Sequence, residues 1–186
     1  MKNRFLFFAL LGGLFLGPLL FPAAVVAASE DDKANDLVNF TNYVDWPAKA
    51  LGKAFSDFVF AVIGDEGVSK RLAETQKGKW LDGHPVAVQI LKDFDPAQVK
   101  NLKQSQVLFI SASQKDHLGN ILKALRGKPV LTVSDMDGFT SQGGMIQLVQ
   151  LDNRISIRIN PDSIEKGKLK VSSKLMQIAQ IEKTGE

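Results

Sequence analysis

GKPVLTVSDMDGFTSQGGMIQLVQLDNRISIRIN, residues 127–160, is the stretch that decides the fold. It opens with a short apolar run, 130–133, placed behind Gly127 and Pro129. An apolar run bounded by such breakers predicts a strand that is covered on both faces of a sheet. The segment 135–144 that follows holds two aspartates and three glycines, which either bind an ion or turn the chain without steric cost.

The second half of this stretch alternates between apolar and polar residues. Two such runs, Met145 to Leu151 and Arg154 to Asn160, are joined by Asp152-Asn153, which is typical hairpin chemistry. In the second run Ile155, Ile157 and Ile159 share one face, while Arg154, Ser156, Arg158 and Asn160 share the other. The pattern predicts an antiparallel hairpin at one edge of the sheet.

Upstream, apolar runs alternate with stretches of helical spacing. Strands are predicted at 58–63, 85–91 and 106–110, and helices at 36–43, 66–76, 95–103, 114–125, 161–166 and 169–181. Strands separated by helices imply parallel pairing through right-handed crossovers, with helices on both faces. The predicted fold is therefore α/β: a three-layer α/β/α sandwich with a mostly parallel sheet and an antiparallel C-terminal edge hairpin.

The N-terminus has the layout of a secretory signal peptide. Lys2 and Arg4 precede an apolar stretch at 5–21, and small residues follow at 22–28. Residues 1–28 are predicted to be cleaved, leaving 29–186 as a single domain. The sequence thus predicts an exported protein that is not inserted in the membrane after cleavage.

Composition narrows the possible functions. The chain has 23 basic and 20 acidic residues, and removal of Lys2 and Arg4 leaves 21 against 20, which gives no reason to expect nucleic acid as a partner. It contains no cysteine, so neither a disulfide framework nor thiolate chemistry is available. Stability must come from packing alone.

The sequence offers no set of catalytic or metal-binding residues. Zinc requires three or four ligands, and His84 and His117 are the two histidines of the chain, far apart and outside any motif. Asp135 and Asp137 resemble the start of a calcium loop, but the distal bidentate glutamate is missing. Dinucleotide and phosphate-binding glycine motifs do not occur. We therefore predict no enzyme activity, no metal and no cofactor.

The glycines of the central segment favour a structural interpretation. Gly138, Gly143 and Gly144 are predicted to shape a turn, and glycine beside a strand commonly marks a bulge or a close backbone approach. Pro47 is assigned a similar structural role, because the residue before a proline avoids the helical region and the first helix should end there.

Several motifs, in order and spacing, resemble the YfiR family of exported bacterial proteins. They are NFTNYVDWP (39–47), FVFAVIGDE (58–66), QVLFISAS (106–113), GKPVLTVSDMDGFTSQGGMIQLV (127–149), IRIN (157–160) and VSSKLMQIA (171–179). The resemblance spans essentially all of the predicted mature chain. Its most specific parts are the aromatic motif at 43–47 and the glycine-rich segment at 138–146.

The resemblance implies a function in signalling. It implies a periplasmic regulator that binds and inhibits the periplasmic sensor domain of an inner-membrane signalling protein, a diguanylate cyclase, and so lowers cyclic di-GMP and biofilm formation. It also implies a homodimer. Family members often carry a cysteine just before the third strand, where this chain has Ser105, so redox control by a disulfide is not possible here.

Four residues are candidates for contact with the partner: Trp46, Phe139, Arg158 and Asn160. Aromatic residues and arginine are common anchors of interfaces. The alternatives are a core position for Trp46 and Phe139, and for Asn160 a helix N-cap before Pro161.

A periplasmic small-ligand sensor or binding protein is the alternative function. Its pocket would lie at the carboxyl ends of the strands, lined by Asp65, Ser111, Ser134 and the 138–144 turn.

Overall fold

A computed structural model describes residues 29–151 and 154–185. The predicted signal peptide and the hairpin residues Asp152-Asn153 lie outside the described residues. The strands are β1 Val44–Asp45, β2 Phe58–Ile63, β3 Trp80–Leu81, β4 His84–Leu91, β5 Val107–Ile110, β6 Leu131–Ser134, β7 Ile146–Leu151, β8 Arg154–Ile159, β9 Lys170–Val171 and β10 Gln180–Ile181. The α-helices are α1 Glu30–Phe40, α2 Ala48–Leu51, α3 Glu66–Gln76, α4 Val99–Leu102, α5 Leu118–Leu125, α6 Pro161–Lys166 and α7 Ser173–Ile178, with 3-10 helices at Pro96–Gln98 and Ala112–His117.

The main sheet confirms the predicted fold class. Its strand order is β10-β8-β7-β6-β5-β2-β4-β3. The pairs β4-β2, β2-β5, β5-β6 and β6-β7 are parallel, and β7-β8 is antiparallel. A separate two-stranded sheet joins β1 to β9.

Each face of the sheet is covered by its own hydrophobic core. Along β2 the side chains alternate, so Phe58, Phe60 and Val62 point to one core while Ala61 and Ile63 point to the other. The first core is closed by α1, α3 and the C-terminal elements. The second is closed by α4 and α5 and by the segment after β6.

The segment 135–145 has a different role from the one predicted. The sequence predicted a turn shaped by its glycines, but the segment joins two parallel neighbouring strands, β6 and β7, with Val133 opposite Ile146. The segment is therefore a crossover, built from turns where a helix is usual. The change of direction comes after Leu151, between β7 and β8.

Two helix predictions were wrong. The first helix spans Glu30–Phe40 rather than 36–43, because Ser29 caps it by accepting a hydrogen bond from the Asp32 N–H at 3.2 Å. The predicted closing helix at 169–181 is divided: its first part pairs with β1, the short α7 begins after Ser172, and its last part pairs with β8.

The helix α5 and the C-terminal edge also need correction. The helix predicted at 114–125 begins later as an α-helix: Ser111 caps a 3-10 helix at Ala112–His117, and α5 begins at Leu118. The hairpin does not form the outermost edge along its whole length, because the two residues of β10 pair with Arg158 and Ile159. At the edge, pairing between residues that are distant in the sequence decides the boundary.

Asp36 on α1 gives a pH-dependent prediction. Burial, with a further contribution from the charge of Asp32, raises the pKa of Asp36 from 3.8 to about 6. A raised pKa in the folded state means that the ionised side chain lowers stability above this pKa, and that stability from this group increases as the pH falls toward 4. Since the side chain is only half-buried, we expect Asp36→Asn to raise the free energy of unfolding near neutral pH by about 1 kcal/mol.

Urea unfolding of the wild-type protein and Asp36→Asn near neutral pH and near pH 4 measures this effect. The gain should disappear at the lower pH, where the wild-type carboxyl is protonated as well. An equal gain at both pH values would assign it to helix propensity rather than to charge.

Candidate functional site

The strand order reverses between β2 and β5, and the loops that leave their carboxyl ends meet there. In open α/β sheets this switch point is the usual place for a ligand. Here the two loops are bonded to each other: the Ser113 hydroxyl donates to the Gly64 carbonyl oxygen at 3.1 Å. A side chain at Gly64, whose φ is +79°, would also collide with Ser113 and Gln114. The switch point is therefore closed by contacts within the chain.

A charged cluster of Lys33, Asp65 and Asp135 lies beside this closed point. The Lys33 Nζ is 2.6 Å from Asp135 Oδ2 and 3.7 Å from Asp65 Oδ2. The three side chains are between 14% and 22% exposed. The Lys33 Nζ also lies 5.9 Å from the centre of the Phe109 ring. Asp65 follows β2 and Asp135 follows β6, the two strands on either side of β5. Lys33 thus neutralises two carboxylates at the carboxyl ends of these strands.

The other carboxylate oxygens of the cluster are also bonded. Asp65 Oδ1 accepts from the Val68 N–H at 2.9 Å and caps α3, and Asp135 Oδ1 accepts from the Ala112 N–H at 3.0 Å. Asp137, the second carboxylate of the calcium-like pattern, is exposed. In the described part of the chain no group of three or more His, Cys, Asp or Glu side chains is placed to hold a metal ion.

The predicted small-ligand pocket is not formed by the residues assigned to it. Ser111 Oγ accepts from the Ser113 N–H, while Ser134 Oγ donates to the Ile110 carbonyl and accepts from the Met136 N–H. With Asp65 held as well, the polar groups of this set already have partners. The opening lies next to it instead, as a cavity of about 950 Å³ between α3 and the end of β4.

This cavity shares Asp65 with the predicted pocket and adds residues that the sequence did not single out. Lys70, Lys77 and Lys92 lie on its wall, and Ile90 contributes apolar surface. Its volume is in the range of about 300–1,000 Å³ that is common for small-ligand sites.

Phe139 is a core residue. Its side chain is 0% exposed and belongs to the second hydrophobic core, together with Met136 of the same crossover. The ring lies so close to Gly144 that a side chain there would overlap it. The glycine is thus required by a close approach, whereas Gly138 and Gly143 have positive φ values of 69° and 98°. Phe139 was expected to contact a partner at the surface, and its burial in the core corrects that expectation.

Asn160 is also buried and serves the fold. Its Oδ1 accepts from the Ser163 N–H at 3.0 Å, which caps α6, and its Nδ2 donates to the Thr140 carbonyl and to Thr184 Oγ1. This is the N-cap alternative, and burial removes Asn160 from the surface available to a partner. It ties the crossover to the C-terminal segment.

Trp46 and Arg158 remain partly accessible. The Trp46 indole Nε1 donates to the Gln106 carbonyl at 3.1 Å, and its ring packs edge to face on Phe58 at 5.3 Å. Arg158 Nε donates to Gln180 Oε1 at 3.3 Å. Pro47, next to Trp46, is extended and precedes α2.

Sequence reasoning missed two residues that organise this region. Lys33 contacts Asp135 across 102 positions, and no local pattern predicts that pair. Gln106 is buried, and its amide bonds the Val59 N–H and the Ala50 carbonyl. A glutamine at the start of an apolar strand was the available signal, because buried polar groups require partners.

Comparison with known families places the chain. Its residues 31–180 match the family model described as YfiR/HmsC-like. Comparison with curated proteins gives no match. Since the family model covers most of the chain, the protein belongs to the YfiR/HmsC-like family, a periplasmic family of regulatory, non-catalytic proteins. In the described residues, no helix has the length and apolar character needed to cross a membrane.

Proposed function

We propose that the protein is exported to the periplasm and inhibits an inner-membrane signalling protein, a diguanylate cyclase, by binding its periplasmic domain. The match of residues 31–180 to a regulatory family supports the proposal. Binding that is stronger to the inactive state of the cyclase is sufficient for inhibition, because a ligand shifts a two-state equilibrium toward the state that it binds more tightly. No chemical step by the regulator is needed.

Trp46 and Arg158 are the proposed contact residues that retain exposure. Both are also held by hydrogen bonds within the chain, which fixes their orientation before binding. Ordered anchors lose less side-chain entropy on association than free ones.

Capture from solubilised inner membranes by the full chain, purified from a bacterial periplasm, tests this function. We expect a membrane protein with a cyclase domain to be retained, and cyclic di-GMP to increase when the gene is deleted and to fall again on complementation. N-terminal sequencing of the purified protein should begin at Ser29. Unchanged cyclic di-GMP together with no retained membrane signalling protein would refute the proposed function.

The cavity beside α3 favours a second candidate, small-ligand binding. Its wall carries three lysines, Lys70, Lys77 and Lys92, and four carboxylates, Asp65, Glu66, Glu74 and Asp93, so a small ligand that carries both charges fits it better than an anion. A ligand that binds the folded state increases its stability by mass action, so a screen of amino acids and other small zwitterions should raise the Tm. The control is Lys92→Ala, which should reduce the increase; a Tm that no compound changes argues against this candidate.

A further inference from the structure

The outer edge of β4 is open over five of its eight residues. β3 pairs with His84 and Pro85, and the Lys79 carbonyl accepts from the Val86 N–H at 2.9 Å. Beyond Val86 no strand of the described chain lies on this side. The chain bends directly after β4, so the open stretch is 87–91.

Strand alternation identifies the unpaired backbone groups. The Val86 N–H points outward to β3, whereas the Leu91 carbonyl points inward and accepts from the Gly64 N–H. Val88 and Ile90 therefore direct their N–H and C=O groups outward. Neither residue has a hydrogen bond on that side to any described loop or side chain. The edge presents four free groups in the register of a missing strand.

The open stretch has none of the usual features that protect an edge. Residues 85–91 include no charged side chain, and Ile90 is 58% exposed. Natural edge strands commonly carry a lysine, a bulge or a proline at such positions. Pro85 lies in the part that β3 already covers.

Two exposed aromatic side chains lie next to this edge. Trp80 on β3 is 56% exposed and Phe55 is 74% exposed, and their rings pack edge to face at 6.1 Å. Phe55 has a φ of +66°, in the left-handed region that is costly for a bulky residue. Strain that holds an apolar ring in solvent is typical of binding surfaces, and aromatic residues are common anchors there.

Charge at both ends of the open stretch argues against a second copy as the occupant. Antiparallel self-pairing that uses all free groups sets Val88 opposite Ile90, and hence Lys92 opposite Val86. The outer neighbour of Val86 is Lys79, so Lys92 of one copy would lie close to Lys79 of the other. The nearby Asp93 already accepts a hydrogen bond from Gln114. A strand with acidic ends avoids this repulsion and gains attraction instead.

We propose that an extended, centrally uncharged strand of a partner protein, with acidic residues at its ends, adds to β4 at 87–91 and contacts Phe55 and Trp80. Main-chain hydrogen bonds supply affinity in this mode, and the side chains supply selectivity. Where the partner is the membrane signalling protein, the inference rests on the proposed function.

A synthetic peptide, Asp-Val-Thr-Val-Thr-Val-Asp, tests the edge without the natural partner. With the full purified chain we expect amide exchange at Val88 and Ile90 to slow severalfold and shift changes to be centred on β4. The same peptide with lysine ends should bind more weakly. Ile90→Pro removes an outward N–H while leaving the bonds to β2, so it should abolish the protection.

The second arm uses membrane capture with a matched pair of variants. Ile90→Lys should reduce capture of the signalling protein at least about tenfold, a change of about 1.4 kcal/mol. Ile178→Lys, at an isoleucine that is 65% exposed elsewhere on the surface, should not. Equal melting temperatures of both variants and the wild type would show that folding is unaffected.

The outcomes separate the two proposals. Unchanged exchange with either peptide, and equal capture by Ile90→Lys and Ile178→Lys, would overturn strand addition at β4. Peptide protection with no captured membrane protein would support the edge and refute the proposed function. Protection that grows with protein concentration in the absence of peptide would assign the edge to a second copy and overturn the proposal for a partner strand.

Discussion

Replacing Phe139 with alanine is expected to lower the free energy of unfolding by about 3–5 kcal/mol. The side chain is fully buried in the second hydrophobic core, and it is the largest apolar group that the crossover contributes. Its removal leaves a cavity that the rigid strands β5 and β6 cannot fill. Urea unfolding followed by circular dichroism measures the loss.

Phe55→Ala is the matched control. Phe55 is exposed, so its removal should change the free energy of unfolding by less than about 0.5 kcal/mol. Comparable losses for the two variants would contradict the core position of Phe139. A contact residue would instead affect capture of the partner and leave stability unchanged.

Gly144 supplies an independent test of the same packing. A side chain at 144 would overlap the Phe139 ring, and Gly144 does not have a positive φ, so steric overlap is the cost of Gly144→Ala. We expect a loss of about 1–3 kcal/mol in the wild type. In the Phe139→Ala background the added methyl group has room, so the loss should be much smaller. Additive losses in this double-mutant cycle would show that the two residues are not in contact.

The strands were predictable because their signals are local. The apolar runs at 58–63, 106–110 and 130–133 and the alternation after 145 reflect burial on two faces or on one, which each segment encodes by itself. The parallel order follows from the intervening helices. Thus the α/β class and the hairpin needed no knowledge of long-range contacts.

The crossover was not predictable for a physical reason. Segment 135–145 has the composition of a turn, and a parallel connection usually contains a helix with a recognisable period. Here two apolar residues, Met136 and Phe139, replace the apolar stripe of a helix and cover the second core. A lone phenylalanine among glycines gives no periodic signal, so its burial appears only in the folded chain.

The prediction of a helix at the C-terminus was wrong for the opposite reason. Residues 169–181 have helical spacing, but backbone bonds to distant strands outweigh that local preference. Val171 pairs with Val44, and Gln180 pairs with Arg158. Tertiary pairing of this kind commonly overrides propensity, because the segment gains backbone hydrogen bonds to strands that are already part of a sheet.

In the candidate site, too, some residues were predictable from the local sequence and others depend on contacts between distant residues. Asp65 was predicted to lie at the carboxyl ends of the strands, and Asp135 was singled out for its calcium-like pattern. Their partner Lys33 comes from α1, before the sheet begins, and is placed there by the packing of Ala34 and Leu37 on the first core. The cluster therefore depends on how α1 docks, which residue spacing does not encode.

Lys33→Met is expected to lower the free energy of unfolding by about 2 kcal/mol, between the small effect of a surface pair and the larger one of a fully buried pair. The substitution retains the apolar stem beside Phe109 but leaves the largely buried carboxylates of Asp65 and Asp135 without a counter-charge. Asp31→Asn, which breaks the exposed ion pair with Arg71, is the control and should change little.

Neutralising the whole cluster separates charge from packing. Asn at positions 65 and 135 can still accept the hydrogen bonds from Val68 and Ala112, so Lys33→Met combined with Asp65→Asn and Asp135→Asn should recover most of the lost stability. A triple variant as unstable as Lys33→Met would show that the ammonium group acts by its hydrogen bond alone. Recovery would instead mean that Lys33 is needed because two largely buried carboxylates lie together beside the closed switch point and require a counter-charge.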